Sequence, residues 1–239
     1  MIPRENKYFQ SYAENSDNPG NKSNQENLYF IAADEVGRGS LFGPVTVGAV
    51  AIPFSSLKKT SDFVWFHDVK DSKKVSLKKR VVLSEKISQK FLYNISHVSS
   101  GYIDKYNINR AIQYGLYRAS GDLQKKLQQQ NKNARIEFIL MDGSYRFSYP
   151  QVGMSKPLAR VIDIIKGDAT YFSIACASIL AKQARDQLIR SVHSKYEHFD
   201  LINNVGYGTK AHREGLRNYG PSKYHRKTFL KKIVKENIS

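Results

Sequence analysis

Apolar residues fall into short runs separated by glycine-rich or charged turns, and their spacing switches between strand-like and helix-like along the chain. Leu28 to Ala33 and Val45 to Ile52 are compact apolar runs. The segment between them carries Gly37, Gly39, Gly43 and Pro44, so the pattern predicts two neighbouring strands joined by a tight turn. Behind Ser76, a residue suited to capping a helix, Leu77, Val81, Ile87 and Phe91 recur at near-helical spacing, with Lys78, Lys79, Lys86 and Lys90 largely on other faces. This predicts a basic amphipathic helix. A strand is expected at 92–98, a long helix at 108–130, and further strands at 136–141 and 161–165. From Asp168 to about Tyr196 the sequence reads as one helix, whose early face of Ala175, Ala177, Ser178 and Ala181 is small enough to lie close on a sheet.

The order of these elements predicts an α/β architecture: a central mixed sheet flanked by helices, followed by a C-terminal basic, mostly helical region. Residues 1–26, rich in Asn, Ser, Gln and charge, have little to bury and are expected to form a disordered lead-in. The catalytic domain is expected over 27–198 and the basic region over 199–239. A chain of 239 residues forms a real core without crosslinks, and its single Cys176 cannot make an internal disulfide. No stretch approaches the roughly 18 consecutive apolar residues of a membrane-spanning helix. The first residues lack the apolar core of a secretory signal, and together these features lead to an expectation of a cytoplasmic protein.

Charge narrows the partner. Thirty-eight Lys and Arg against 21 Asp and Glu leave a formal charge of +17, and residues 210–235 hold nine basic side chains against one acid, Glu214. Polyanions are favoured by such a balance through counterion release, and nucleic acid leads them. A membrane surface fits less well, because the tail alternates charge with Tyr, Gly and Pro and has no long apolar face.

The chemistry is expected from acids placed just beyond apolar strands: Asp34 and Glu35 after the first, Asp142 after Ile136 to Met141, and Asp168 after Lys166-Gly167. Each has an ordinary reading; Asp168 alone is a natural helix cap. Their recurrence at strand ends suggests convergence at one sheet edge. Neighbours in an ideal strand point to opposite faces, so Asp34 and Glu35 can share a site only if the strand breaks there, and the Gly37-Arg38-Gly39 turn is the expected break. Clustered carboxylates repel unless divalent cations lie between them, and oxygen ligands suit Mg2+ or Mn2+. Such an arrangement serves phosphodiester hydrolysis, with one ion activating water and the other stabilising the leaving oxygen. No zinc-type Cys/His cluster is present, and the glycine turn misses the spacing of a dinucleotide-binding loop.

An ordered set of motifs then carries a resemblance. Asp34-Glu35-Val36-Gly37-Arg38-Gly39-Ser40-Leu41-Phe42-Gly43-Pro44-Val45 resembles the opening motif of ribonuclease HII. Asp71-Ser72-Lys73-Lys74, Met141-Asp142-Gly143, Lys166-Gly167-Asp168-Ala169, Ser173 to Ile179, Ala181-Lys182 with Arg185-Asp186, Gly206-Tyr207-Gly208-Thr209-Lys210, and Gly220-Pro221-Ser222 with His225-Arg226 follow in the family's order. The resemblance covers roughly 28–230 and implies a ribonuclease H-like fold, with Asp34, Glu35, Asp142 and Asp168 as metal ligands and catalytic acids. It implies cleavage of the RNA strand of RNA/DNA hybrids and nicking 5′ of single ribonucleotides in duplex DNA, leaving 3′-hydroxyl and 5′-phosphate ends.

It further implies that Gly37, Arg38 and Gly39 grip the 2′-hydroxyl and the flanking phosphate, and that Tyr207 stacks on the following sugar. Lys73, Lys182 and His212 are candidate phosphate contacts. Asp163, inside a strand, is assigned no metal. The chain departs from the family pattern in a long 144–160 segment bearing Tyr145, Arg146 and Phe147, in Ser40 where a proline is frequent, and in Cys176 for an alanine. The nearest rival is a ribonuclease HIII-type hybrid nuclease, disfavoured by Arg38 between two glycines and by the lack of a substantial folded N-terminal substrate-binding domain. A non-catalytic nucleic-acid-binding protein is disfavoured by the intact acid set, and a small-molecule phosphatase would not need the basic tail. A monomer is the default expectation.

Overall fold

The computed structural model describes residues 27–56, 69, 75–145, 147 and 158–235. The 1–26 lead-in and Lys73 lie outside the described residues.

Five strands form one sheet in the order β3-β2-β1-β4-β5: β1 Leu28–Val36, β2 Val45–Pro53, β3 Tyr93–Val98, β4 Arg135–Asp142 and β5 Arg160–Ile164. β1 pairs antiparallel with β2 across the glycine turn and β2 antiparallel with β3, while β4 lies parallel to β1 and β5 parallel to β4. The expected mixed sheet is therefore present. Alternation along β1 divides the core: Phe30 and Ala32 face one cluster with Leu140, Ile174 and Ala177, whereas Ile31 and Ala33 face another with Ile112, Leu116 and Met141. Full burial of a side chain such as Phe30 contributes about 1.5–3 kcal/mol.

Helices cover both faces. On the Phe30 face lie α1 (Leu77–Lys90) and α5 (Phe172–Ser191); on the Ile31 face lies α3 (Ile108–Gln130), preceded by α2 (Ser100–Tyr106). Ser76 caps α1 by accepting the Lys79 N–H, as its sequence position predicts. The single helix expected from Asp168 is instead two, α4 (Gly167–Thr170) and α5, because Tyr171 between them is extended at φ −118°, ψ 122°. Past Val192 the chain tightens into 3-10 turns, so α5 also ends before Tyr196.

The basic C-terminal segment packs onto the sheet domain. α6 (Leu201–Asn204), α7 (Lys210–Tyr219) and α8 (Lys227–Lys235) follow the turns, and Phe42 from the glycine-rich segment shares a buried cluster with Ile189, Phe199, Leu201 and Val205. Asp104 of α2 accepts the N–H groups of Lys227 and Thr228 at 2.9 Å each, so a distant carboxylate caps the start of α8.

Candidate active site

Three acids meet at the carboxyl end of β1 and β4. Each of Asp34, Asp142 and Asp168 offers an oxygen within 4.8 Å of the others. Asp34 and Asp142 share a face because each continues the alternation that buries Ala32 and Leu140 against α5. Asp168 comes from α4, whose start is held to the strand: Asp142 Oδ1 accepts the Gly167 N–H at 2.6 Å. Asp168 is not a cap, since Lys166 occupies that position in the left-handed region and makes no side-chain capping bond. Asp163 faces away from the trio, where its Oδ2 accepts the Tyr145 N–H at 3.0 Å.

Glu35 stands outside the trio. β1 does not break between Asp34 and Glu35; the ladder to β2 continues through Val36, paired with Thr46, so the two side chains leave by opposite faces. The expected break comes at Gly37, after the acids. Glu35 instead accepts a hydrogen bond from Tyr145, and its buried Oε2 has no hydrogen-bond partner among the described residues.

Electrostatics fit a cation. Burial, then the charges of Glu35, Asp142 and Asp168, hold the Asp34 carboxyl well above the usual carboxylate range, although a Ser178 hydrogen bond opposes them. Burial also pushes Glu35 up to about 7, against the Tyr145 hydrogen bond and the Arg38 charge. Clustered acids that resist ionisation, together with a buried orphan oxygen, form a donor set of hard oxygens that a divalent ion would satisfy.

The substrate-reading candidates adjoin this cluster. Gly37 sits at φ +86°, and a β-carbon there would collide with the Arg185 guanidinium. Two buried arginines turn the carbonyls of this segment inward. Arg185 donates to Pro44 O, Phe42 O, Val205 O and Ser40 Oγ, and Arg226 donates to Arg38 O at 2.8 Å and to Gly43 O at 3.0 Å. Among the described residues, none accepts a hydrogen bond from the exposed N–H of Arg38 or Gly39. Ser40, where the family pattern often has proline, uses its hydroxyl in this clamp, donating to Gly206 O at 2.8 Å.

Gly206 also accepts the N–H groups of Leu41 and Phe42, tying the turn to the segment bearing Tyr207. Tyr207 is partly exposed, with the Arg185 guanidinium 5.6 Å from its ring centroid. Its carbonyl is held at 2.9 Å by His212 Nδ1, and His212 Nε2 lies 3.0 Å from His225 Nε2. Because His225 Nδ1 accepts the Ser222 N–H at 3.0 Å, its Nε2 carries the proton and donates to His212, leaving His212 Nδ1 to donate to Tyr207.

His212 is therefore wholly buried with both ring nitrogens engaged, and the expected phosphate contact gives way to a role in holding Tyr207. Lys182 pairs with Asp186 at 3.3 Å, and Asp186 also binds Arg80 at 2.8 Å. Sequence reasoning assigned no role to Tyr145, Asn109, Arg185, His225 or Arg226. All but Asn109 stood in segments it had singled out; buried partners, which only folding supplies, give them their parts.

Comparison with known proteins gives the family. A family model described as Ribonuclease HII matches residues 31–233. Ribonuclease HII of Rickettsia akari (strain Hartford) is 37% identical over 202 residues, covering 84% of this chain and 91% of its own length. That of Alkaliphilus oremlandii (strain OhILAs) is 39% identical over 213 residues, covering 89% and 94%. Among solved structures, ribonuclease H2 from Pyrococcus horikoshii OT3 aligns with TM-score 0.59 at 25% identity over 87% of this chain and 98% of that one, so the sheet and its helices are ribonuclease H-like. Family model, identity and aligned length agree, and the chain belongs to the ribonuclease HII family of metal-dependent ribonucleases H.

Proposed function

We propose that this protein is an endoribonuclease that hydrolyses the RNA strand of RNA/DNA hybrids and nicks 5′ of single ribonucleotides embedded in duplex DNA, leaving a 3′-hydroxyl and a 5′-phosphate. The observation that carries this reading is the meeting of Asp34, Asp142 and Asp168 within 4.8 Å beside a glycine turn whose exposed Arg38 and Gly39 have N–H groups without an acceptor among the described residues. Glu35 completes the acid set from the other face of β1, and its orphan Oε2 is the atom expected to turn to a cation. When bound, two Mg2+ or Mn2+ ions supply an activated water and a stabilised leaving oxygen.

The chain's own residues supply selection. Backbone N–H groups of Arg38 and Gly39, opposite the Gly37 and Arg38 carbonyls that the Ser40 N–H and Arg226 hold, suit a phosphate oxygen or a 2′-hydroxyl acceptor. A β-carbon on Gly39 would meet no atom of the described residues within 4 Å, so glycine there suits an approach from outside. The Tyr207 ring, exposed at the end of its buried support, suits stacking on a sugar. Lys73 and Lys182 are proposed to contribute phosphate attraction without base preference. The working form is a cytoplasmic monomer acting on nucleic acid rather than on a membrane; among the described residues, no helix is long and apolar enough to cross one.

Incubation of a duplex bearing one ribonucleotide, with and without Mg2+ or Mn2+, followed by mapping of the cut, tests this function. A metal-dependent nick on the 5′ side of the ribose is expected, with an all-DNA duplex left intact. Equal cutting of both duplexes would remove the ribose-reading role of Gly37, Arg38 and Gly39.

A further inference from the structure

Tyr145 follows the Asp142-Gly143 turn, in the segment where the chain departs from the family pattern. Its ring is fixed three ways. It stacks on Phe147 with centroids 5.0 Å apart and planes 3° from parallel, its N–H donates to Asp163 Oδ2, and it lies against Gly143, where a β-carbon would fall 2.7 Å from the ring. The hydroxyl so delivered stands between two residues of the proposed site. Arg38 Nη1 donates to Tyr145 Oη at 2.9 Å, and Glu35 accepts from the same hydroxyl. A guanidinium can only donate and a carboxylate can only accept, so the chain of bonds runs one way, from Arg38 through Tyr145 to Glu35.

Arg38 is held from a second side. Its Nη2 donates to Asn109 Oδ1 on α3 at 2.9 Å, and its guanidinium carbon lies 5.2 Å from the Tyr145 ring centroid. The side chain is thereby drawn sideways along the sheet end, while the N–H groups of Arg38 and Gly39 have no acceptor among the described residues. At the other end of the bridge, one Glu35 oxygen is engaged and Oε2 is left over.

We propose that Tyr145 is a positioning residue that couples the acid site to the ribose-reading turn: one hydroxyl fixes the rotamer of Glu35 and the direction of the Arg38 side chain together. This rests on the function proposed above and adds to it a residue of this chain's own 144–160 segment. A ring serving only as core filling would need neither hydrogen bond. In the coupled arrangement the hydroxyl matters more than the ring.

The test is a double-mutant cycle on binding, measured with a chelator present so that no cleavage intrudes. The dissociation constants of a singly ribose-substituted duplex and of an all-DNA duplex are compared for wild type, Tyr145→Phe, Arg38→Ala and the double variant. Tyr145→Phe keeps the stack on Phe147, so its melting temperature is expected to match wild type. Its preference for the ribose duplex is expected to fall about tenfold, the scale of one hydrogen bond to a charged group. Arg38→Ala should lower the preference similarly, and the double variant should lose no more than either single one.

Calorimetric titration with Mn2+ gives a readout at the other end, where Tyr145→Phe should bind several-fold more weakly. Additive losses in the cycle, or a ribose preference and Mn2+ affinity both unchanged in Tyr145→Phe, would overturn the coupling while leaving the proposed function standing. A wild-type protein with no ribose preference would sink the function and the coupling together.

Discussion

Asp34 and Glu35 are consecutive in β1, yet Asp34 joins Asp142 and Asp168 on the α5 face while Glu35 turns to Tyr145 on the α3 face. An unbroken ladder imposes this division, because β1 stays paired to β2 through Val36. The acid site is thus assembled around the end of a strand. It has a compact trio on one side and a fourth carboxyl on the other.

Within the trio, Asp142 is the acid best suited to a charge-only test. Its Oδ1 already accepts the Gly167 N–H, a bond that an asparagine oxygen can keep. We therefore expect Asp142→Asn to fold with wild-type melting behaviour, to bind a ribose-containing duplex in chelator as tightly as wild type, and to lose cleavage. Undiminished turnover would refute the metal site.

Metal binding should be linked to protons and to stability. Glu35 is raised to about 7 and Asp34 is raised as well. A carboxyl whose folded value exceeds its unfolded one contributes stability that is fully present below the unfolded value of 4.5 and is lost as pH rises through about 7. The metal-free protein is therefore expected to lose stability from this site between pH 5 and 8. Mn2+ or Mg2+ should restore it, so the rise in melting temperature on adding metal should be larger at pH 8 than at pH 5.5. Thermal denaturation at both pH values, with and without metal, decides the matter; a metal increment that grows toward acid pH would contradict the assignment.

For Tyr207, the ring and the hydroxyl separate. The residue is held through its backbone carbonyl by His212, so the side chain is free to be replaced without undoing the turn. Tyr207→Phe is expected to keep most of the ribose-duplex affinity, and Tyr207→Ala to lose about 1–3 kcal/mol, the usual worth of one stacked aromatic on nucleic acid. The reverse ranking would argue against stacking.

Much of this was legible from residues alone, and what was not has a physical reason. Periodicity placed α3 at 108–130, and the acids at the ends of β1 and β4 pointed to the cluster of Asp34, Asp142 and Asp168, because an ionised group at the end of a buried run needs water or a cation. Missed were the break at Tyr171, where no proline or glycine marks the stop, and the short α2. His212 was misjudged for a different reason. A histidine in a basic tail looks solvated until its partner His225, thirteen positions later, is brought to 3.0 Å by the fold. Tyr145 likewise gains its meaning from Arg38, distant in sequence by more than a hundred residues.

The histidine pair should make the Tyr207 support sensitive to acid. Burial first, then the charge of His212, lowers His225 to about 4 from 6.5. The pair is neutral above that range, and the proton His225 then gains goes to Nδ1, where it would face the Ser222 N–H across 3.0 Å as donor against donor. A depressed folded value means the unfolded chain takes up the proton first, so this stability is present above 6.5 and is lost as pH falls through about 4. The full contribution is at most on the order of 3 kcal/mol. Glu35 pulls the opposite way over much of the same range, so the informative quantity is wild type minus variant. His225→Phe keeps a ring beside Phe42 and Phe199 but leaves His212 Nε2 buried without a partner, which should cost about 1–3 kcal/mol at pH 7.5. That deficit should shrink toward pH 4.5, as wild type loses what the variant never had. Urea unfolding of both proteins across this range measures it, and a deficit independent of pH would show that the two rings are packed together without sharing a proton.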